Sequence, residues 1–182
     1  MGFSQERTLK RGSPLWLAVT GMMTAMNIVL SMSVFSVPVP GGHLYFCDTV
    51  INTAAILLDP LAAFVVGGVG SFLGDMLFYP APMFVSLAAH GLQAAAVSLI
   101  SRRGEGGGHP ALFSGLGVAA GAVIMVTGYT LGRAFVYATP ETSLLKLPFE
   151  CVQALFGAAV AMALCYPLRL KALFARMVQG IR

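Results

Sequence analysis

Long apolar segments follow one another along almost the whole chain, and this feature restricts the fold more than any other. Only 10% of the 182 residues are charged, whereas soluble domains carry about 25%. Because so few charges cannot cover a water-facing surface, lipid must cover much of it. At about 20 residues for each membrane-spanning helix, the chain has room for roughly six. We therefore predict an all-α, polytopic membrane protein with six transmembrane helices and no separate soluble domain.

Proline, glycine and polar breaks divide the chain into segments. After a polar N-terminal segment over 1–14, we expect a six-helix membrane domain over 15–168 and a basic amphipathic cytoplasmic tail over 169–182, lying at the membrane surface. The predicted helices cover about 15–37, 44–58, 60–78, 83–100, 112–137 and 149–168.

The first two apolar segments differ in length from a simple membrane span. The first is longer than the ~7–15-residue core of a signal peptide. A retained helix is therefore favoured over a cleaved leader, although Ser31 and Ser33 form a weak cleavage-site pattern. The second is short for a full span. We expect the apolar, proline- and glycine-rich loop VPVPGGHLYFC before it to fold over, or into, the outer side of the bundle.

Lysine and arginine are concentrated at one set of segment ends. Six helices place the N-terminal segment, the 101–110 loop and the tail on one side of the membrane. Their basic residues are Arg7, Lys10, Arg11, Arg102, Arg103, Arg169, Lys171, Arg176 and Arg182. The opposite side has only Lys146 in its loops. The positive-inside rule then predicts a multi-pass membrane protein with cytoplasmic termini. The net charge of +4 is attributed to these segments and not to a nucleic-acid partner.

Polar residues inside the predicted helices are spaced three or four apart, so that each set shares one helix face. The sets are Asp48 and Asn52; Asp75 and Tyr79; Ser86, His90 and Gln93; Tyr129, Arg133 and Tyr137; and Glu150 and Gln153. Nearly all lie in the outer half of the bundle, whereas the inner half is mostly Leu, Ala, Val and Gly. This asymmetry argues against a continuous channel and favours a pocket that is open outside and closed below.

A small polar ligand would find hydrogen-bonding groups and aromatic rings in that pocket. The predicted substrate-binding residues are Tyr45, Phe46, Asn52, Tyr79, Phe84, His90, Gln93, Tyr129, Arg133, Glu150 and Gln153. Arg133 is a candidate receiver of a carboxylate, and His90, Gln93, Glu150 and Gln153 are candidates for binding a heterocycle.

Structural explanations for the same residues stay open. Arg133 and Glu150 could form a structural ion pair, and a neighbouring helix could satisfy His90. Asp75 could be solvated near the membrane surface and Asp48 could cap a helix, so both aspartates are assigned to rim or capping positions.

The three cysteines are Cys47, Cys151 and Cys165, and they form neither a disulfide framework nor a metal motif. Packed free thiols are favoured over a Cys47–Cys151 bridge. The motifs HExxH, GxSxG and the P-loop do not occur. We therefore assign no catalytic residue, metal or cofactor to this chain. Without an ATP site the chain cannot drive uptake by hydrolysis on its own, so uptake would need a partner, an ion gradient or a downhill substrate gradient.

Three stretches resemble the substrate-binding S components of energy-coupling factor (ECF) vitamin transporters. They are the loop PVPGGHLYFCDTVI, the segment DPLAAFVVGGVGSFLGDML and the small-residue face of Ala18, Gly21 and Ala25 on the first helix. The resemblance covers about 15–168, and Met22 departs from the small-residue pattern of the first helix.

The resemblance implies an architecture and a set of partners. The loop before the second helix would act as the gate, and helices four to six would supply most of the pocket. The small-residue face would contact the transmembrane coupling (T) subunit, while two partner ATPase subunits supply energy from ATP. The protein would topple in the lipid bilayer to present its ligand to the cytoplasm.

The substrate implied by the resemblance is a small water-soluble vitamin or precursor. Pantothenate, a pyridoxine-like ring, hydroxymethylpyrimidine and riboflavin are all open. A second hypothesis is a self-sufficient ion-coupled or facilitative carrier that uses Asp48, Asp75 and Glu150 as ion sites, although no inverted repeat is evident. A third is an intramembrane enzyme with His90 and an acid in its cavity.

Overall fold

The computed structural model describes residues 9–32, 35–106 and 108–180. Within these ranges the chain forms seven helices and one two-stranded hairpin, which confirms the all-α class. The elements are α1 (Pro14–Leu30), β1 (Val37–Val39), β2 (Gly42–Leu44), α2 (Cys47–Leu57), α3 (Pro60–Phe78), α4 (Met83–Gly106), α5 (Pro110–Tyr137), α6 (Pro140–Cys165) and α7 (Leu170–Gly180). Arg7, Ser33 and Arg182, which entered the sequence predictions, lie outside the described residues.

Four helices are long and apolar enough to cross a membrane, namely α3, α4, α5 and α6. The 17 residues of α1 and the 11 residues of α2 are fewer. At 1.5 Å per residue these two helices reach ~25 Å and ~16 Å, against a hydrocarbon core of ~30 Å. The chain is therefore a multi-pass membrane protein, and six spans with cytoplasmic termini stay a prediction.

Three helices begin at a capping residue followed by proline. Ser13 caps α1, Asp59 caps α3 and Thr139 caps α6, and in each the side chain accepts a hydrogen bond from a backbone N–H of the first turn. Thr139 and Thr142 also form a reciprocal capping box. The expected start of the sixth helix near residue 149 was therefore wrong. The helix begins at Pro140, continues through Pro148 and so includes Lys146.

A π-helical segment over Val65–Val69 interrupts α3 near its middle. The wider π turn changes the backbone hydrogen-bond pattern, and Asn27 of α1 compensates from the neighbouring helix. Its side-chain Nδ2 donates to the carbonyl oxygen of Val66 at 2.7 Å and to Ser71 Oγ at 3.2 Å. Asn27 is fully buried, so this contact fixes α1 against the centre of α3.

The two GxxxG spacings of α5 allow it to pack closely on α4. A Cβ atom built on Gly117 would lie 3.0 Å from the carbonyl oxygen of Val97, and one on Gly128 would lie 2.8 Å from Cβ of Ala89. The glycines therefore allow close packing between these two helices. This packing places His90 and Gln93 of α4 beside the polar residues of α5 and α6.

The end of the bundle away from the hairpin is closed by residues 9–13 and α7. Arg11 Nε lies 2.8 Å from Asp59 Oδ1, and Trp16 Nε1 donates to Asp59 Oδ2. Burial opposes ionisation of Asp59, but the Trp16 hydrogen bond and the Arg11 charge hold its pKa below the usual value. Val178 and Phe174 of α7 pack into the same apolar cluster as Trp16.

Gly67 gives a direct test of the packing between α3 and α4. A Cβ atom there would lie 2.6 Å from the carbonyl oxygen of His90 and 2.9 Å from Cβ of Ala94. We expect Gly67→Ala to destabilise the purified protein by about 1–3 kcal/mol, because backbone must move to make room. Gly115→Ala is the control, since its nearest neighbour would be Met162 Cε at 3.9 Å. Thermal unfolding in detergent should lower Tm for the first variant only, and equal Tm values would contradict this packing.

Candidate functional site

A cavity of about 440 Å³ lies between the hairpin and the adjoining ends of α3, α4, α5 and α6. This volume is in the range of small-molecule sites. Eight residues selected from the sequence line it, namely Tyr45, Asp75, Tyr79, His90, Tyr129, Arg133, Glu150 and Gln153. The structure therefore brings polar residues from four helices and the loop before α2 to one place.

The cover of the cavity is the hairpin, where the sequence had indicated an irregular loop. Val37 pairs with Leu44 and Val39 with Gly42 in antiparallel register. Pro40 and Gly41 occupy the turn, and the φ of +82° at Gly41 is a conformation that glycine adopts without strain. The segment Val-Pro-Val-Pro-Gly-Gly-His-Leu thus contains a hairpin signal that was missed because the two strands are only three residues long.

Three side chains hold this hairpin against α5 and α6. Lys146 Nζ donates to the carbonyl oxygen of His43. Arg133 reaches the carbonyl oxygen of Gly41 at 3.5 Å. The backbone N–H of Tyr45, just after β2, donates to Gln153 Oε1 at 2.9 Å. The cover is therefore fastened by the same residues that line the cavity beneath it.

One wall of the cavity carries a buried group of opposite charges. Arg133 pairs with Glu150 at 3.0 Å and also donates to the hydroxyl of Tyr137 at 3.0 Å. Lys146 lies on the same face of α6 as Glu150 and is only 4% exposed. Glu150 Oε2 and Arg133 Nε have no hydrogen-bond partner among the described residues. Both residues of this ion pair line the cavity, so the wall presents a positive and a negative group side by side.

The opposite wall is built on Asp75. Ser86 Oγ donates to the Asp75 carboxylate. The hydroxyl of Ser86 has one proton, so the Tyr129 hydroxyl in contact with it donates to Ser86. Near this wall, burial and the Asp75 charge raise the pKa of Tyr45 to about 12. The Tyr45 hydroxyl therefore stays protonated at neutral pH and can donate to a ligand.

Asp48 occupies neither a rim nor a capping position, which corrects the sequence interpretation. It is fully buried, and the N-cap of α2 is Phe46, without a side-chain hydrogen bond. Gln93 Nε2 donates to Asp48 Oδ1 at 2.9 Å, and Gln153 Nε2 donates to Oδ2 at 2.7 Å. The carboxylate lies behind the cavity because two amides replace the water that a rim position would supply.

Four predicted binding residues do not line the cavity. Asn52 and Gln93 are buried behind it. Phe46 packs on Phe156 with ring centroids 5.5 Å apart. Phe84 is 65% exposed. It lies two residues before Ser86, and two residues correspond to about 200° around a helix, so Phe84 points away from the Ser86 face.

The cavity also has lining residues that sequence reasoning did not select. They include Ser31, His43, Ser71, Met125, Tyr137, Thr142 and Lys146. Tyr137 was placed on the helix face of Arg133 by its spacing but was not chosen as a binding residue. Lys146 was missed because the Thr139-Pro140 helix start was taken for a loop.

Cys47, Asp48 and His90 each place one potential metal-ligand atom within 4.8 Å of the others. Both Asp48 oxygens already accept amide hydrogen bonds, and His90 Nδ1 lies 2.7 Å from Gln93 Oε1. The Asp48 oxygens and His90 Nδ1 are therefore used within the protein, and no metal role is assigned to this group. Cys47 is buried and Cys151 exposed, and both are free thiols.

The predicted partner face of α1 is exposed. Ala18, Gly21 and Ala25 all lie on the surface, together with Met22. A Cβ atom on Gly21 would meet nothing within 4 Å. Within the described residues this glycine has no packing role, so the face is free to contact lipid or another protein.

Lys146 provides a test of how the cover is held. We expect Lys146→Met to open the hairpin more often, because the carbonyl oxygen of His43 loses a charged donor worth about 1.5–3 kcal/mol. Hydrogen–deuterium exchange over residues 37–45 should become at least about tenfold faster. Lys171→Met is the matched control, since it removes a lysine paired with Glu105 at the other end of the bundle. Equal exchange in both variants would contradict the proposed fastening.

Comparison with known proteins agrees with the resemblance seen in the residues. The family model of the ECF-type riboflavin transporter, S component, matches residues 13–170. A protein of Pyrococcus woesei described as an uncharacterized protein in gap 3'region is 29% identical over 145 residues, which is 80% of this chain and 95% of the relative. Because the family model spans most of the chain, this protein belongs to the ECF-type riboflavin transporter S component family.

Proposed function

We propose that this protein is the membrane-embedded substrate-binding subunit of an ECF-type vitamin importer. It captures a small water-soluble vitamin or precursor from outside the cell and delivers it to the cytoplasm with an ATPase-driven partner module. The observation that carries this proposal is the covered cavity of about 440 Å³, lined by buried charged and aromatic residues. Many large apolar side chains are exposed on the rest of the bundle, as expected of surfaces that face lipid.

Riboflavin is the first substrate to test, because the family description names it. Its ring system is flat and has both donors and acceptors along its edge. The cavity offers aromatic faces from Tyr45, Tyr79, Tyr129 and Tyr137, and stacking on such faces is favourable. Pantothenate, a pyridoxine-like ring and hydroxymethylpyrimidine stay within the proposal. Arg133 and Lys146 would receive the carboxylate of pantothenate.

Energy would come from partners. A transmembrane coupling (T) subunit would contact the exposed face around Gly21, and two ATPase subunits would hydrolyse ATP. Family membership supports this arrangement, because an S component is a transporter component and implies no ATPase site of its own. The bilayer surrounds the chain in this arrangement.

Substrate binding is tested with the purified protein and four vitamins. We expect riboflavin, pantothenate, pyridoxine or hydroxymethylpyrimidine to bind with micromolar affinity or better, measured by calorimetry and, for riboflavin, by fluorescence quenching. Arg133→Gln should raise the Kd of the bound vitamin about 10- to 100-fold, because a charged hydrogen bond is worth about 1.5–3 kcal/mol. Arg103→Gln is the same change on an exposed residue at the end of α4 away from the cavity. It should leave the Kd unchanged. Absence of binding by all four vitamins would refute the proposal.

The carrier hypothesis is separated from this proposal by reconstitution. Proteoliposomes that contain only this chain should not accumulate the vitamin, because the proposed energy source is absent. Uptake by the chain alone, driven by a proton or sodium gradient, would favour a self-sufficient carrier.

The partner face is tested with Gly21→Leu. The larger side chain has room in the isolated protein, so vitamin binding and Tm should stay unchanged. Co-purification with a T subunit and two ATPases should decrease, because the added side chain separates the two surfaces. Ala119→Leu is the control, as it enlarges an exposed small residue on α5. Normal assembly with lost vitamin binding would contradict the assignment of two separate faces.

A further inference from the structure

A chain of hydrogen bonds connects the cover of the cavity with His90. It begins at the backbone N–H of Tyr45, which can only donate. This N–H lies 2.9 Å from Gln153 Oε1, so the amide of Gln153 must direct its Nε2 away from Tyr45. That Nε2 lies 2.7 Å from Asp48 Oδ2. The orientation of Gln153 is therefore fixed by a group that cannot reverse its role.

The second half of this hydrogen-bond chain fixes the orientation of the Gln93 amide. Gln93 Nε2 donates to Asp48 Oδ1 at 2.9 Å and also faces Asn52 Oδ1 at 3.4 Å. Its other amide atom, Oε1, is an acceptor and lies 2.7 Å from His90 Nδ1. A hydrogen bond between them requires the proton to reside on Nδ1. The Asp48 carboxylate, 3.8 Å from Nδ1, favours the same placement of the proton.

In the neutral imidazole, the remaining nitrogen of His90 then has no proton and can only accept a hydrogen bond. His90 lines the cavity and is only 3% exposed. In the described part of the chain, no residue forms a hydrogen bond with Nε2. The Tyr129 ring, with its centroid 5.2 Å from that of His90, packs beside the imidazole. A ligand that fills the cavity must therefore offer a donor to Nε2 or leave a buried acceptor unpaired, which costs about 1–3 kcal/mol.

We infer that Gln153, Asp48 and Gln93 form a relay of positioning residues that holds His90 in the Nδ1–H tautomer. The cavity then selects a substrate with an N–H or O–H donor directed at Nε2. The substrate part of this inference rests on the proposed vitamin-binding function. The tautomer part does not, because the hydrogen-bond chain is complete within the protein.

The tautomer is measured on the ligand-free protein. Long-range ¹H–¹⁵N correlation spectra of protein labelled with ¹⁵N-histidine distinguish the two ring nitrogens, and the loss of one signal set in His90→Gln assigns His90 among three histidines. We expect a protonated Nδ1 and an unprotonated Nε2 at neutral pH. The opposite tautomer in wild-type protein, or a proton on both ring nitrogens, would overturn the inference.

Asp48→Asn provides a second readout, because it should reverse the tautomer. Gln153 still donates to position 48, so the new amide must accept there and direct its NH₂ group towards Gln93. Gln93 then turns its oxygen to position 48 and its Nε2 to His90, which moves the histidine proton to Nε2. Asp75→Asn is the matched control, since the Asp75 carboxylate binds Ser86 outside the relay. It should leave the proton on Nδ1, and an identical tautomer in both variants would contradict the relay.

The substrate part is tested with riboflavin, pantothenate, pyridoxine and hydroxymethylpyrimidine as probes. The vitamin that binds should shift the ¹⁵N signal of Nε2 without protonating it, and its Kd should rise about 10- to 100-fold in Asp48→Asn. A bound vitamin that leaves the Nε2 signal unchanged would overturn recognition through a donor. If none of the probes binds, the proposed function fails, whereas the tautomer measurement still decides the relay.

Discussion

The buried carboxylate of Asp48 is the interaction on which the rest of the site depends. A fully buried carboxylate is costly unless it is hydrogen-bonded, and here two glutamine amides supply the bonds. Gln93 belongs to α4 and Gln153 to α6, so satisfying Asp48 joins α2 to both helices. The close approach also requires Gly157, because a Cβ atom there would lie 2.5 Å from Cβ of Asp48. The polar group that costs most to bury therefore determines which helices meet behind the cavity.

The cavity follows from this arrangement and from the contrast between the two ends of the bundle. Glycines bring α5 close to α4 at the apolar centre, while a π-helical segment over Arg133–Tyr137 ends α5 beside the hairpin. The Arg133–Glu150 pair was considered either structural or functional. In the structure it lines the cavity and also contacts the hairpin. Structure and binding are thus served by the same groups, which suits a site that must be covered when a ligand is present.

Much of this architecture could be predicted from the sequence, because helix-period spacing reports which polar residues share a face. That reasoning selected His90, Arg133 and Glu150, and the structure brings them to one cavity. It misplaced Asp48, because an aspartate near a helix start is most simply explained as a cap or a solvated group. Spacing within one helix does not reveal partners on other helices, and both amides that bind Asp48 are distant in sequence. Lys146 was misplaced for a local reason, since Pro148 was taken as a helix boundary although the Thr139 cap begins the helix earlier.

The central claim is that a vitamin binds in the covered cavity and not elsewhere on the bundle. An experimental structure of the purified protein with its bound vitamin tests this claim most directly. The account predicts ligand density beneath the hairpin, in contact with His90 on one side and with Arg133 or Glu150 on the other. Ligand density at the lipid-facing surface or at the end closed by α7, with this cavity empty, would contradict it.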